Sequence, residues 1–218
     1  MLLRTFSILT FCICVASCCG DDCAGTYVIQ GIITSNVDGN SCVGFEVEIE
    51  EQILEGGVLN SFYESIATLS TDASGFYYLE FPRKNAISYR ITVNHDGWFP
   101  LSEEISPDLF TPSSPVDVNL VTTPKADLEI RVINSLPALD TDIMRVRLLK
   151  SFKNYSTCDT EWKIYHGTNI DSTIACIMPG DVWMPYLSID QSDEEFEVTV
   201  IDSVFCSAFE TTTINVVY

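Results

Sequence analysis

From Tyr27 onward the hydrophobic residues of this chain recur at every second position, and no other feature restricts its fold so strongly. The cleanest run is Phe45, Val47 and Ile49, interleaved with Glu46, Glu48 and Glu50. A period of two puts the first set on one side of a strand and the second set on the other. The three glutamates therefore read as the solvated outer face of an antiparallel sheet, not as a cation site. The same period appears at Tyr27–Thr34, Phe62–Leu69, Tyr77-Leu79-Phe81, Ile87-Tyr89-Ile91-Val93 and Val116-Val118-Leu120. It resumes at Leu128-Ile130-Val132, Met144-Val146-Leu148, Trp162-Ile164, Ile174-Cys176, Val182-Met184, Phe196-Val198-Val200 and Ile214-Val216-Tyr218. No stretch after the first seventeen residues reads as an amphipathic helix of ten or more residues. Thr122-Thr123-Pro124-Lys125, polar and proline-bearing, is the expected boundary. The expected fold is all-β, with two tandem antiparallel β-sandwiches over 27–121 and 126–218 and a linker at 122–125. The second has seven short strands and is immunoglobulin-like in the loose sense.

The first 26 residues follow different rules. Arg4 precedes an apolar run from Phe6 to Val15, about half the roughly 20 residues that cross a bilayer. Small residues follow, so residues 1–17 read as a secretory signal peptide. Val15-Ala16-Ser17-Cys18 resembles the lipobox of bacterial lipoproteins, which implies cleavage before Cys18 and lipidation there. An ordinary secretory cut after Ala16 or Ser17 is the alternative. Asp21-Asp22 resembles the acidic surface-export signal of Bacteroidetes-type lipoproteins. Residues 18–26 then form a lipidated tether, spanning at most roughly 28 Å to Tyr27. The expected location is the cell envelope, with an outer-membrane lipid anchor and surface exposure. The membrane is then one partner, reached through the N-terminal lipid.

One resemblance covers roughly Tyr27 to Val121. Its residues are Gly31, Phe45-Val47-Ile49, Thr71-Asp72, Gly75-Phe76-Tyr77, Leu79, Tyr89-Ile91-Val93 and Gly97-Trp98. This order resembles the carboxypeptidase regulatory-like domain, which implies a seven-stranded prealbumin-type sandwich serving as an accessory fold without catalytic residues. The segment from Gln52 to Asn60 is longer than that pattern expects. In the turn Thr71-Asp72-Ala73-Ser74-Gly75, Asp72 is placed to cap backbone N–H groups and Gly75 to take positive φ.

Charge and side-chain chemistry narrow the function. The chain has 31 acidic and 11 basic residues, a net charge of −20. Such a surface excludes nucleic acid, which needs a basic face. Six cysteines follow Cys18, namely Cys19, Cys23, Cys42, Cys158, Cys176 and Cys206. Without a C-x-x-C pair they read as disulfide formers in an oxidising compartment, not zinc ligands. A disulfide is expected between two of Cys158, Cys176 and Cys206, with Cys158–Cys206 favoured. His95 and His166 are the only histidines and fall beside glycine-bearing turns, so no catalytic residue, metal site or cofactor is assigned. The expected ligand contacts are Trp98 and Phe99, aromatics on a loop, whereas Trp162, Tyr165 and Trp183 read as core. The acidic loop Asp190–Glu195 lacks the spacing of a calcium loop and reads as a solvated turn. These readings describe a non-catalytic envelope lipoprotein that acts as a binding, adhesion or assembly module, its partner an envelope protein or a glycan. An accessory carbohydrate-binding subunit of an uptake or hydrolase system is the alternative.

Overall fold

The computed structural model describes residues 25–218 apart from 56, 57, 60, 113, 136, 137, 154 and 194. The signal peptide 1–17, Cys18, Cys19, Cys23 and most of the tether lie outside the described residues. Among those described the fold is all-β, with one 3-10 turn at Pro107–Leu109 and no helix able to cross a membrane.

The first half contains β1 (Thr26–Ser35), β2 (Glu46–Glu55), β3 (Val58–Leu59), β4 (Glu64–Ser70), β5 (Phe76–Pro82), β6 (Ala86–Asn94), β7 (Leu101–Ile105), β8 (Val116–Asp117) and β9 (Leu120–Thr122). One sheet runs β5-β1-β8, with β9 also on β1; the facing sheet runs β2-β6-β7, with β3 and β4 on the other edge of β2. Most pairs are antiparallel, but β1 meets β8 and β9 in parallel, which closes the sandwich with its own last segment. That closure passes directly over Gly31, where a Cβ would lie 1.9 Å from the Val118 carbonyl oxygen, so only glycine fits. The Tyr77 hydroxyl donates to the same oxygen at 2.6 Å.

Between the sheets lie Tyr27, Ile29, Ile33, Phe45, Val47, Ile49, Tyr77, Phe81, Tyr89, Ile91 and Val93, the inward rows expected from the alternation. Ile87 is the exception and is exposed. A register shift between Gln52 and Ile53, opposite Ser88 and Ala86, takes it out of the row. The outward Glu50 is also not free in solvent. Arg90 clamps it with two bonds of 2.6 Å, Thr92 donates to it at 3.2 Å, and the Tyr63 ring lies 3.9 Å from the guanidinium. The turn after β4 forms as expected: Asp72 Oδ1 accepts from the Ser74 and Phe76 N–H groups at 2.8 and 2.9 Å, and Gly75 has φ 73°.

The second half contains β10 (Lys125–Ile133), β11 (Ile143–Leu148), β12 (Lys163–His166), β13 (Asp171–Pro179), β14 (Val182–Asp190), β15 (Val198–Cys206) and β16 (Thr211–Val217). A three-stranded sheet β13-β10-β16 faces a four-stranded sheet β12-β11-β14-β15. Here too the first strand pairs in parallel with the last, β10 with β16. Leu128, Ile130, Val132, Met144, Val146, Leu148, Met178, Met184, Ile214 and Val216 fill the space between the sheets, a core with no member in common with the first.

The favoured pairing Cys158–Cys206 is corrected: the disulfide is Cys158–Cys176, with Cα atoms 5.0 Å apart. The loop entering β12 lies along the edge of β13, where Thr157 N–H donates to the Ile177 carbonyl and Thr157 Oγ1 accepts from Ile177 N–H. That docking brings Cys158 to the neighbour of Ile177. Cys206 belongs to the other sheet and is a buried free thiol, as is Cys42, whose pKa burial pushes up to about 11.

Residues 122–125 do not behave as a free linker. Thr122 ends β9, Lys125 opens β10, and Thr122 and Thr123 are buried. Backbone bonds cross the junction from Phe99 N–H to Thr123, Lys125 N–H to Gly97 and Gly180 N–H to Pro124.

Candidate functional site

The expected contact residues Trp98 and Phe99 lie at this junction, half-buried instead of free on a loop. Gly97 turns the chain at φ 79°, sending Trp98 against Phe45 (5.1 Å between ring centroids) and Phe209 (5.5 Å). Phe99 packs edge-on against Tyr155 at 5.5 Å, with Lys125 Nζ 5.5 Å from its ring. Aromatic surface spent on such packing holds the two halves together. Trp98 still borders solvent on one side, lining an open cleft of about 490 Å³ with Glu46, His95, Asp96 and Lys125. His95 stacks on Phe45 at 4.3 Å, and its Nδ1 lies 2.9 Å from the Asp96 carbonyl oxygen.

Exposed aromatics occur elsewhere, on the outer face of the sheet β12-β11-β14-β15. Trp162 and Trp183, expected in the core, are 37% and 59% exposed. The cause is parity. Met184 and Ser188 point inward, so Trp183, Pro185, Leu187 and Ile189 point outward. In β12 the inward residue is Tyr165, which turns Trp162 and Ile164 to solvent. In β15 the inward residues are Val204 and Cys206, so Ile201 and Phe205 face out at 71% and 41% exposure. Val198 and Val200, expected inside, are exposed because β15 is an edge strand that overhangs the core.

The register assembles these side chains into rows. Ile164, Arg145, Ile189 and Thr199 lie abreast across the sheet. Arg147, Leu187 and Ile201 form the next row, and the Arg147 guanidinium lies 4.6 Å from the Trp162 ring. At the end nearest the junction Trp183 stands opposite Phe205, their rings 5.5 Å apart. Trp, Phe, Leu, Ile and Arg on one flat exposed face form the composition that anchors protein interfaces. The sign of periodicity was legible in the sequence, but which parity faced the core was not.

Other clusters serve the fold. In the loop after β14, Asp190 and Asp193 cap the Ser192 and Glu195 N–H groups at 2.9 Å. Among the described residues no group of three or more His, Cys, Asp or Glu side chains is placed to hold a metal ion.

The fold thus defines an all-β protein built of two successive sandwiches. No family model matches the chain, and no curated protein matches it significantly. Among solved structures it is similar to the Bacillus anthracis TIE protein, at 10% identity and TM-score 0.40, over 89% of this chain and 34% of that one. A streptococcal ancillary pilin is similar at 12% identity and TM-score 0.37, over 87% and 62%. Catechol 1,2-dioxygenase from an Acinetobacter species is similar at 16% identity and TM-score 0.33, over 46% and 53%. The chain spans less than two thirds of the length of each. Likenesses this distant carry no weight for its function.

Proposed function

We propose that this chain is a non-catalytic lipoprotein of the cell envelope, anchored through lipid on Cys18 and acting as a docking and assembly module. The two sandwiches, 27–121 and 126–218, are its domains, joined at 122–125. The order of basic residue, short apolar run and small residues before Cys18 supports export and anchoring. The Cys158–Cys176 disulfide agrees with an oxidising compartment. The observation that carries the docking role is the exposed aromatic and aliphatic face of β12-β11-β14-β15, since an apolar patch of this kind on a soluble domain marks an interaction surface. The test is a photo-cross-linking amino acid placed at Ile201, compared with one at Glu129 on the opposite sheet. Expected is one discrete envelope protein captured from Ile201 and none from Glu129, in a chain that Cys18→Ser releases from the membrane fraction. Equal capture from both positions overturns the docking role.

The carbohydrate-binding alternative has one observation in its favour, the cleft that Trp98 lines with Glu46, His95 and Asp96. Aromatic faces beside polar groups suit sugar rings. Glycan-array binding lost in Trp98→Ala, with the melting temperature measured alongside because Trp98 also holds the junction, would establish it.

A further inference from the structure

We infer that the partner of the β12-β11-β14-β15 face is a polypeptide segment in which carboxylates are set among apolar side chains. This rests on the docking role proposed above and adds the chemistry of the partner.

The first observation is what the face lacks. Its outward positions are Trp162, Ile164 and His166 on and before β12, Ile143, Arg145 and Arg147 on β11, Trp183, Pro185, Leu187 and Ile189 on β14, and Thr199, Ile201, Ser203 and Phe205 on β15. None is acidic, in a chain with 31 acidic residues and a net charge of −20. The second observation is what its arginines lack. Arg90 and Arg131 are bound to Glu50 and Asp171, but neither Arg145 nor Arg147 has a carboxylate within 4.0 Å among the described residues. Arg147 Nε is buried without a hydrogen-bond partner, while its guanidinium stacks over Trp162. Stacking holds the planar fork in one orientation, so a carboxylate meeting it costs less side-chain entropy than one meeting a free arginine.

These facts choose among occupants. A second copy laid face to face would bring more arginine and no carboxylate to pair with it. Leu187, Ile189, Ile164 and Ile201 between the aromatics call for apolar side chains, which a glycan does not offer.

The test is selection from a random 16-residue peptide library displayed on phage against the folded full chain. Three counter-targets accompany it: Arg145→Glu/Arg147→Glu, Trp183→Ala and Ile201→Ala, each checked for an unchanged melting temperature. Expected are peptides alternating Asp or Glu with aromatic or aliphatic residues. Their binding should weaken about tenfold or more in the charge-reversed variant, which itself should select Lys- or Arg-bearing peptides. Neutral or basic peptides that need Trp183 but ignore both arginines would overturn the inference and leave the docking role standing. Peptides indifferent to Trp183 and Ile201, or no enrichment at all, would overturn both. Acidic glycans bound through the arginines where no peptide is enriched, or a dimer in sedimentation that Ile201→Glu dissolves, would replace the polypeptide with a glycan or a second copy.

Discussion

The two outer faces of the second sandwich cover the same core, yet they differ in the charge and apolar content of their surfaces. On β10, Asp127, Glu129 and Arg131 face out beside Thr211, Thr213 and Asn215 of β16. Arg131 is held by Asp171 of β13 through two bonds of 2.9 and 2.8 Å. Charges there are of both signs and the arginine is paired, as on a surface that meets only water. On the other sheet Arg145 and Arg147 have no ion pair among the described residues, and Trp, Leu and Ile lie around them. On the docking role proposed above, a partner contact would offset the cost of this exposed apolar area.

The disulfide between these sheets is the first place to break the comparison. Cys176 lies on β13 of the polar sheet, and Cys158 in the loop leading to Trp162 and β12 of the apolar one. Reduction should cost about 3 kcal/mol for a loop of 18 residues, read from denaturant midpoints. Peptide mapping without reductant should recover Cys158 joined to Cys176, with Cys42 and Cys206 alkylated only after unfolding. A Cys158–Cys206 peptide would refute the arrangement. Next in size, Leu187→Glu or Ile201→Glu should weaken binding to the cross-linked partner about thirtyfold, while Glu129→Lys changes it less than twofold. Comparable losses from both faces would erase the distinction. A smaller effect concerns fluorescence: acrylamide should quench Trp183 most readily, so Trp183→Phe should remove more of the quenchable emission than Trp98→Phe.

The smallest expected effect is on pH dependence and belongs to the polar face. Hydrogen bonding from Arg131 lowers the Asp171 pKa below its ordinary value of 3.8. A carboxyl depressed in the folded state stabilises the fold above its unfolded pKa, and that contribution is lost as pH falls through the folded pKa. Both side chains are well exposed, so the change in melting temperature should be slight. Carboxyl NMR should place the Asp171 midpoint below the ordinary value, and Arg131→Met should return it there. A midpoint unmoved by the substitution would show that the pair does not hold in solution.

Much of the architecture was legible because burial on one side of a strand writes itself as a period of two. Phe45-Val47-Ile49 and Leu128-Ile130-Val132 needed no more than that. The turn at Asp72 and Gly75 was equally plain, since capping and positive φ are local demands. Exposure was harder to read: Trp98 and Phe99 are half-buried at the junction, whereas Trp162 and Trp183 lie open on the outer sheet. Trp98 and Phe99 looked exposed because they sit on a loop, and Trp162 and Trp183 looked buried because they fall in strands. In Val182–Asp190 nearly every residue is apolar or uncharged, so alternation is present on neither side and the parity is undetermined.

What the chain's own sequence determined, then, was its class, its turns and its segmentation into strands, all properties of residues a few positions apart. Which side of β12, β14 and β15 met the core, which cysteine met Cys158, and whether Trp98 met solvent or Phe209 were decided only by the tertiary structure. Each depends on what another segment, distant in sequence, places opposite. A side chain cannot encode alone whether the surface it is offered is water or another sheet.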